Sequence, residues 1–221
     1  MRVSCTILES FRRYQAGLCW CKEDCTCLEE LTASIRGEFV PTPRMEAGSL
    51  FHKAVETMDP GLAFYGADFV GALRDCDEGR AARAIVERRG IHEAKWTVRF
   101  GDVLVVGKAD LIAPPVAYDW KATANYSGSD YTDSLQWRFT LAALPELSHF
   151  RYETFRVWRD GDGPYSVKYL SPGQEFARYP ELMADCGAWV NQFEGFIALR
   201  GLSAYVEDRP SNEFPEATEA A

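Results

Sequence analysis

Residues 103–113, VLVVGKADLIA, constrain the chain more than any other segment. Only Lys108 and Asp110 are charged in this run, and Pro114-Pro115 closes it. An apolar run of that length reads as a central strand, buried on both faces. A charge inside such a strand costs free energy unless it is paired or functional. The neighbouring segments supply the rest of a sheet. Residues 93–100, EAKWTVRF, alternate polar and apolar as a half-buried strand does, and Gly101-Asp102 makes a turn. Residues 116–121, VAYDWK, form a short third strand. Residues 150–158, FRYETFRVW, form a fourth, and the turn GDGP leads to a fifth, YSVKYL.

Helical periodicity surrounds these strands. Residues 4–15 place Leu8, Phe11, Arg12 and Tyr14 on a recurring face, with Ser4 as N-cap. Residues 46–58, 61–76, 79–89, 130–145 and 181–200 also read as helices, and 16–42 as irregular. The order is helices, three strands, helix, strand. It predicts an α/β domain with one central mixed β-sheet flanked by helices. Residues 1–206 are expected to form that single domain. Residues 207–221 hold five acidic side chains against Arg209, with two prolines and no apolar period, and read as a disordered acidic tail.

The net charge is -9, which argues against indiscriminate binding of nucleic acid through bulk charge. It leaves room for a local basic groove, and arginines far outnumber lysines, a bias the composition of the source genome would also produce. No run of 18 apolar residues is present, so no transmembrane helix is expected. The first residues lack the apolar core of a secretory signal. The expectation is a cytoplasmic protein whose seven cysteines are reduced or bind metal.

The chemistry concentrates in GKADLIAPPVAYDWKAT. Residues two apart in a strand share a face, so Asp119 and Lys121 project together and Trp120 turns into the opposite layer. If the second and third strands pair as a hairpin, Asp110 approaches Asp119. Two adjacent carboxylates repel unless a cation lies between them, and oxygen donors suit Mg²⁺ or Mn²⁺. A lysine beside such a metal can position a water or neutralise charge developing on a phosphate. The competing reading of Asp-x-Lys is a solvated surface pair worth little energy.

The set Gly107, Asp110 and then Asp119-Trp120-Lys121 resembles the PD-(D/E)XK nuclease superfamily, whose core is the restriction-endonuclease-like sheet. Further features are similar to its RecB-type and phage exonuclease branch, which includes the CRISPR-adaptation nucleases. Gly48, His52 and Glu56 match a G-x-x-x-H-x-x-x-E helix, Glu93 opens the first strand, and Gln136 starts the helix after D-x-K. The likeness spans residues 4–158. It implies Asp110, Asp119 and Lys121 as catalytic residues. It implies His52, Asp110, Asp119 and the backbone carbonyl of Trp120 as metal ligands, with Glu56 and Glu93 in support around them. It implies Gln136, Arg12 and Arg13 as DNA contacts. Two departures stand out. The tyrosine of Q-x-x-x-Y falls on Thr140, and the branch's iron–sulfur cysteines are not matched, since only Cys186 comes late. Cys19, Cys21, Cys25 and Cys27 form C-x-C-x₃-C-x-C instead. Four thiolates can close a structural zinc site, but C-x-C is tight for one ion, and free loop thiols are the competing reading. Cys76 and Cys186 fall on helix faces and read as core residues.

The expected function is metal-dependent hydrolysis of DNA, as an exonuclease in DNA processing, recombination or repair. The expected partners are DNA and a recombination or annealing protein, or further copies of the chain, with no membrane. Two other classes compete: an inert DNA-binding or assembly module on the same fold, and an enzyme built on the cysteine cluster.

Overall fold

The computed structural model describes residues 1–18, 26–41, 45, 48–49, 51–52, 89–123, 131–159, 165–207 and 218–219. Its centre is a mixed sheet of seven strands: β1 (Arg2–Ser4), β2 (Ile91–Phe100), β3 (Val103–Ala113), β4 (Val116–Thr123), β5 (His149–Arg159), β6 (Tyr165–Ala177) and β7 (Thr218–Glu219). The strand order is β6-β5-β4-β3-β2-β7, with β1 added beside β3. The described helices are α1 (Cys5–Gln15), α2 (Cys27–Arg36), α3 (Leu135–Ala143), α4 (Leu182–Leu199) and the single turn α5 (Ala204–Glu207). Residues 48–49 and 51–52 are also helical. The mixed sheet with flanking helices is the architecture the alternation of periods implies.

β3 is the pivot. Along one edge it pairs antiparallel with β2 from Val103 to Ile112. Its other edge is shared. β1 runs parallel to Leu104–Val106, and β4 pairs antiparallel only with Leu111–Ala113. Between these two contacts β4 leaves β3 and pairs in parallel with β5 over its whole length, from Val116↔His149 to Thr123↔Arg156. Parallel neighbours need a crossover, and α3 lies on it.

The two faces of the sheet carry separate apolar layers. On one face α1, α3 and α4 bury Leu8, Phe11, Phe139, Val190 and Phe193 against Val105, Ala109 and Tyr152. Phe11 anchors this layer, with its ring 5.4 Å from Phe193 and 5.1 Å from Phe196. Strand alternation turns Trp120 and Phe155 to the other face. There Phe51 lies 5.3 Å from Phe155.

Several elements differ from the sequence expectation. Residues 27–36 are helical rather than irregular. Leu28, Leu31 and Ile35 recur at helical spacing, Glu29 and Glu30 stand in the first turn, and Gly37 ends the helix at φ 79°. β1 is too short to show a period. β6 runs past YSVKYL to Ala177, through a bulge opposite Tyr152 and Thr154. Gly173 permits that bulge, since a Cβ there would lie 1.9 Å from the Tyr152 carbonyl oxygen. α3 starts at Leu135, five residues later than its period suggested, because Ser134 caps it. The helix expected at 61–76 and all but Arg89 of that expected at 79–89 lie outside the described residues, as does most of the expected tail. Of that tail, Thr218–Glu219 pairs in parallel with Val98–Arg99. Among the described residues no helix is long and apolar enough to cross a membrane.

Gly107 faces Trp96 across β2 and β3, and a Cβ at 107 would lie 2.1 Å from the indole ring. The ring, 1% exposed, has nowhere to move cheaply. Gly107→Ala is therefore expected to destabilise the protein by roughly 1–3 kcal/mol, read from urea denaturation, through overpacking alone. An unchanged midpoint would refute that packing.

Candidate active site

The site forms where β3 and β4 part. In register, Asp110 and Asp119 would be the pair following Leu111↔Tyr118, but the ladder stops there. The Trp120 N–H, freed from a strand partner, donates to Asp110 Oδ2 at 2.7 Å. A carboxylate thus replaces a ladder carbonyl, which satisfies a buried donor and fixes the acid in the opening. His52 reaches the same oxygen, with Nδ1 3.3 Å away.

Asp119 and Lys121 share a face of β4, as period two requires, and join in an ion pair of 2.7 Å between Oδ2 and Nζ. The Lys121 ammonium is the partner described for the buried Asp119 Oδ2. Gln136 bridges the two. Its amide Nε2 donates to Asp119 Oδ1, and its Oε1 accepts from Lys121 Nζ at 2.8 Å. The ring of Tyr152, beside Asp119 in the parallel β4–β5 register, lies under the ammonium with 5.3 Å from Nζ to centroid.

The start of α3 positions Gln136, and it is held from three sides. Ser134 Oγ accepts from the Gln136 N–H at 3.3 Å as N-cap. The Tyr152 hydroxyl donates to the same Oγ at 3.1 Å. The Leu135 N–H donates to Glu9 Oε2 of α1 at 2.7 Å. A carboxylate suits that place, because helix N-termini carry unpaired N–H groups and positive partial charge.

Burial sets the electrostatics. It works against ionisation of Asp110, but the His52 hydrogen bond and charge, the Trp120 N–H and Lys121 outweigh it and hold this carboxyl below the usual range. For Asp119 burial wins. Lys121 opposes it and the Asp110 charge adds to it, so this carboxyl is raised. Burial disfavours the Lys121 ammonium, yet the Asp119 charge overcomes that and raises its pKa. The site therefore holds one firm carboxylate, one whose charge is costly, and one ammonium.

Not every expected site residue converges here. Glu93, at φ 52°, is ion-paired with the exposed Lys108 across β2 and β3. Arg12 is 7% exposed and grips Glu9, with Nη2 2.7 Å from Oε1. Its part in this structure is to hold the carboxylate that caps α3. Arg13 is half-buried near the end of α1. Glu56, Cys19, Cys21, Cys25 and Cys76 lie outside the described residues; Cys27 begins α2. Cys186 is buried, as its helix position implied, and so is Cys5. Among the described residues no three His, Cys, Asp or Glu side chains converge as a preformed metal centre. Glu9, Ser134 and Tyr152 were not singled out by sequence. They are isolated polar residues on three elements, and only the tertiary arrangement joins them.

No family model and no curated protein matches the chain. Among solved structures it is similar to an alkaline exonuclease from Laribacter hongkongensis, at 11% identity and TM-score 0.47, over 93% of this chain and 90% of that one. It is similar to the same exonuclease in complex with dAMP, at 12% identity and TM-score 0.45, over 91% and 92% of the two chains. A protein from Eubacterium rectale is similar at 12% identity and TM-score 0.41, over 92% and 82%.

Two outcomes follow from this geometry. Ser134→Ala is expected to cost about 1 kcal/mol in chemical denaturation through loss of the cap, and an undiminished stability would exclude it. Burial pushes the Cys186 thiol up to about 12 and Cys5 well above its ordinary value. In native protein at pH 8 both should resist iodoacetamide and then react once unfolded, as mass mapping would show. Rapid native alkylation of either would contradict the burial.

Proposed function

We propose that the protein is a Mg²⁺- or Mn²⁺-dependent deoxyribonuclease that acts as an exonuclease in DNA processing, recombination or repair. The observation that carries this reading is the meeting of two buried carboxylates, Asp110 and Asp119, with the Lys121 ammonium where β3 and β4 separate. The donor chemistry fits a divalent cation. Asp119 Oδ2 is a buried carboxylate oxygen beside the Asp110 carboxylate, met among the described residues by the Lys121 ammonium, and the raised pKa of Asp119 reflects negative charge that a cation would stabilise.

Asp110, Asp119 and the Trp120 carbonyl would hold the ion, with the His52 imidazole as the nitrogen donor. When bound, the ion supplies positive charge to the phosphodiester and makes a water near it more acidic. The protein's own residues do the rest. Lys121 orients the attacking water and offsets charge that develops on the phosphoryl oxygens. Gln136 keeps Lys121 and Asp119 in a fixed relation. Arg13 serves phosphate contact, and Glu56 and Glu93 shape the surrounding field. DNA is the substrate class to which the D…D-x-K resemblance points.

The test uses end-labelled linear and circular DNA with Mg²⁺ or Mn²⁺. Wild-type protein should shorten linear DNA from an end, spare closed circles, and stop when EDTA is added. Asp119→Ala and Lys121→Ala should keep their far-ultraviolet circular dichroism and lose roughly 10²-fold or more in rate. Unchanged cleavage in both variants would sink the assignment. A wild type that binds DNA without cutting it would favour an inert module instead.

A further inference from the structure

Lys121 has three described partners, and they differ in kind. Asp119 Oδ2 is the ion-pair partner at 2.7 Å. Gln136 Oε1 accepts at 2.8 Å while the same amide donates to Asp119. Both are bound up with the carboxylate proposed to hold the cation. The third partner is the ring of Tyr152, 5.3 Å from Nζ.

The ring is fully buried, and its surroundings leave it little freedom. Its centroid is 4.6 Å from the Tyr131 ring and 4.9 Å from the Phe150 ring. Its hydroxyl is tied to Ser134 Oγ. β5 supplies it to the side of β4 on which Asp119 and Lys121 project. An aromatic face attracts an ammonium through its quadrupole, and more strongly once water is excluded. It offers no formal negative charge to compete for a cation and no basic atom to take the lysine's proton. The helix position where the resembling branch carries tyrosine is Thr140 here, which is fully buried.

We infer that Tyr152 is a positioning residue for Lys121, its ring holding the ammonium over the site by a cation–π contact independent of Asp119. This rests on the nuclease reading for its kinetic consequence, but not for the contact itself. The same ring links the lysine to the start of α3 through Ser134, so one side chain fixes Lys121 directly and Gln136 through its cap.

The experiment replaces Tyr152 by phenylalanine and then by phenylalanines with one, two and three ring fluorines. These keep the shape of the ring and weaken its quadrupole stepwise. Tyr152→Phe, which gives up the hydroxyl bond to Ser134 but keeps the ring, sets the reference kcat on linear DNA for the series. Across the fluorinated series kcat should fall by roughly fivefold. KM for DNA and the thermal midpoint should stay constant, which a purely structural ring would not separate from kcat. A second readout needs no turnover: the Lys121 ε-methylene should show an upfield ring-current shift by NMR, retained in Tyr152→Phe and lost in Tyr152→Leu. A flat kcat across the series, or an unshifted ε-methylene in the wild type, would overturn the inference. If the wild type cleaves no DNA, the nuclease reading fails and the NMR shift alone decides this one.

Discussion

The structure turns on one hydrogen bond, from the Trp120 N–H to Asp110 Oδ2. Two strands that separate inside a sheet leave backbone groups without partners, and buried orphans of that kind cost free energy. Here a side chain takes over where the ladder ends. The exchange lets β4 leave β3 for β5 without an unpaired amide at the fork. It also explains why a carboxylate lies in the middle of an apolar strand. Asp110 closes the defect that its own position creates, and its ionised form is the better acceptor.

The opening would be unstable with two buried carboxylates alone. Asp110 is compensated by an amide and an imidazole, Asp119 by an ammonium and an amide. The compensating groups come from β4, α3 and helical residue 52, so several elements of the fold answer to the same pair of charges. α1 takes part at one remove. Arg12 orients Glu9, and Glu9 holds the first N–H of α3. A charge-assisted chain thus runs from an N-terminal helix to the amide that spans Asp119 and Lys121.

Legibility in the sequence followed the range of the interaction. β3 announced itself by its apolar run, and the period of two placed Asp119 and Lys121 together with no knowledge of the fold. The approach of Asp110 to Asp119 needed only a hairpin between adjacent strands. Tyr152 needed more. It joins the site through the parallel register of β4 and β5, which the crossover between them sets, and FRYETFRVW does not reveal which face meets Asp119. α2 was hidden by the cysteine-rich stretch before it, although Leu28, Leu31, Ile35 and Gly37 carried the signal. Glu93 lies across from Asp110 in the β2–β3 register, between the pairs His92↔Leu111 and Ala94↔Ala109, and at its positive φ its side chain pairs with Lys108, a partner the sequence did not single out.

The packing of Phe11 has a temporal meaning. Its ring partners on α4, Trp189, Phe193 and Phe196, are made long after it when the chain is synthesised. Until they emerge, Phe11 lacks its ring partners on α4, while α1 already has α2, α3 and β3 to pack against. The elements that carry Asp119, Lys121, Gln136 and Tyr152, namely β4, α3 and β5, all precede α4 in the chain. A nascent chain stopped before α4 would carry Asp110, Asp119 and Lys121 without the aromatic contacts that brace α1, and with it Glu9, from the side of α4.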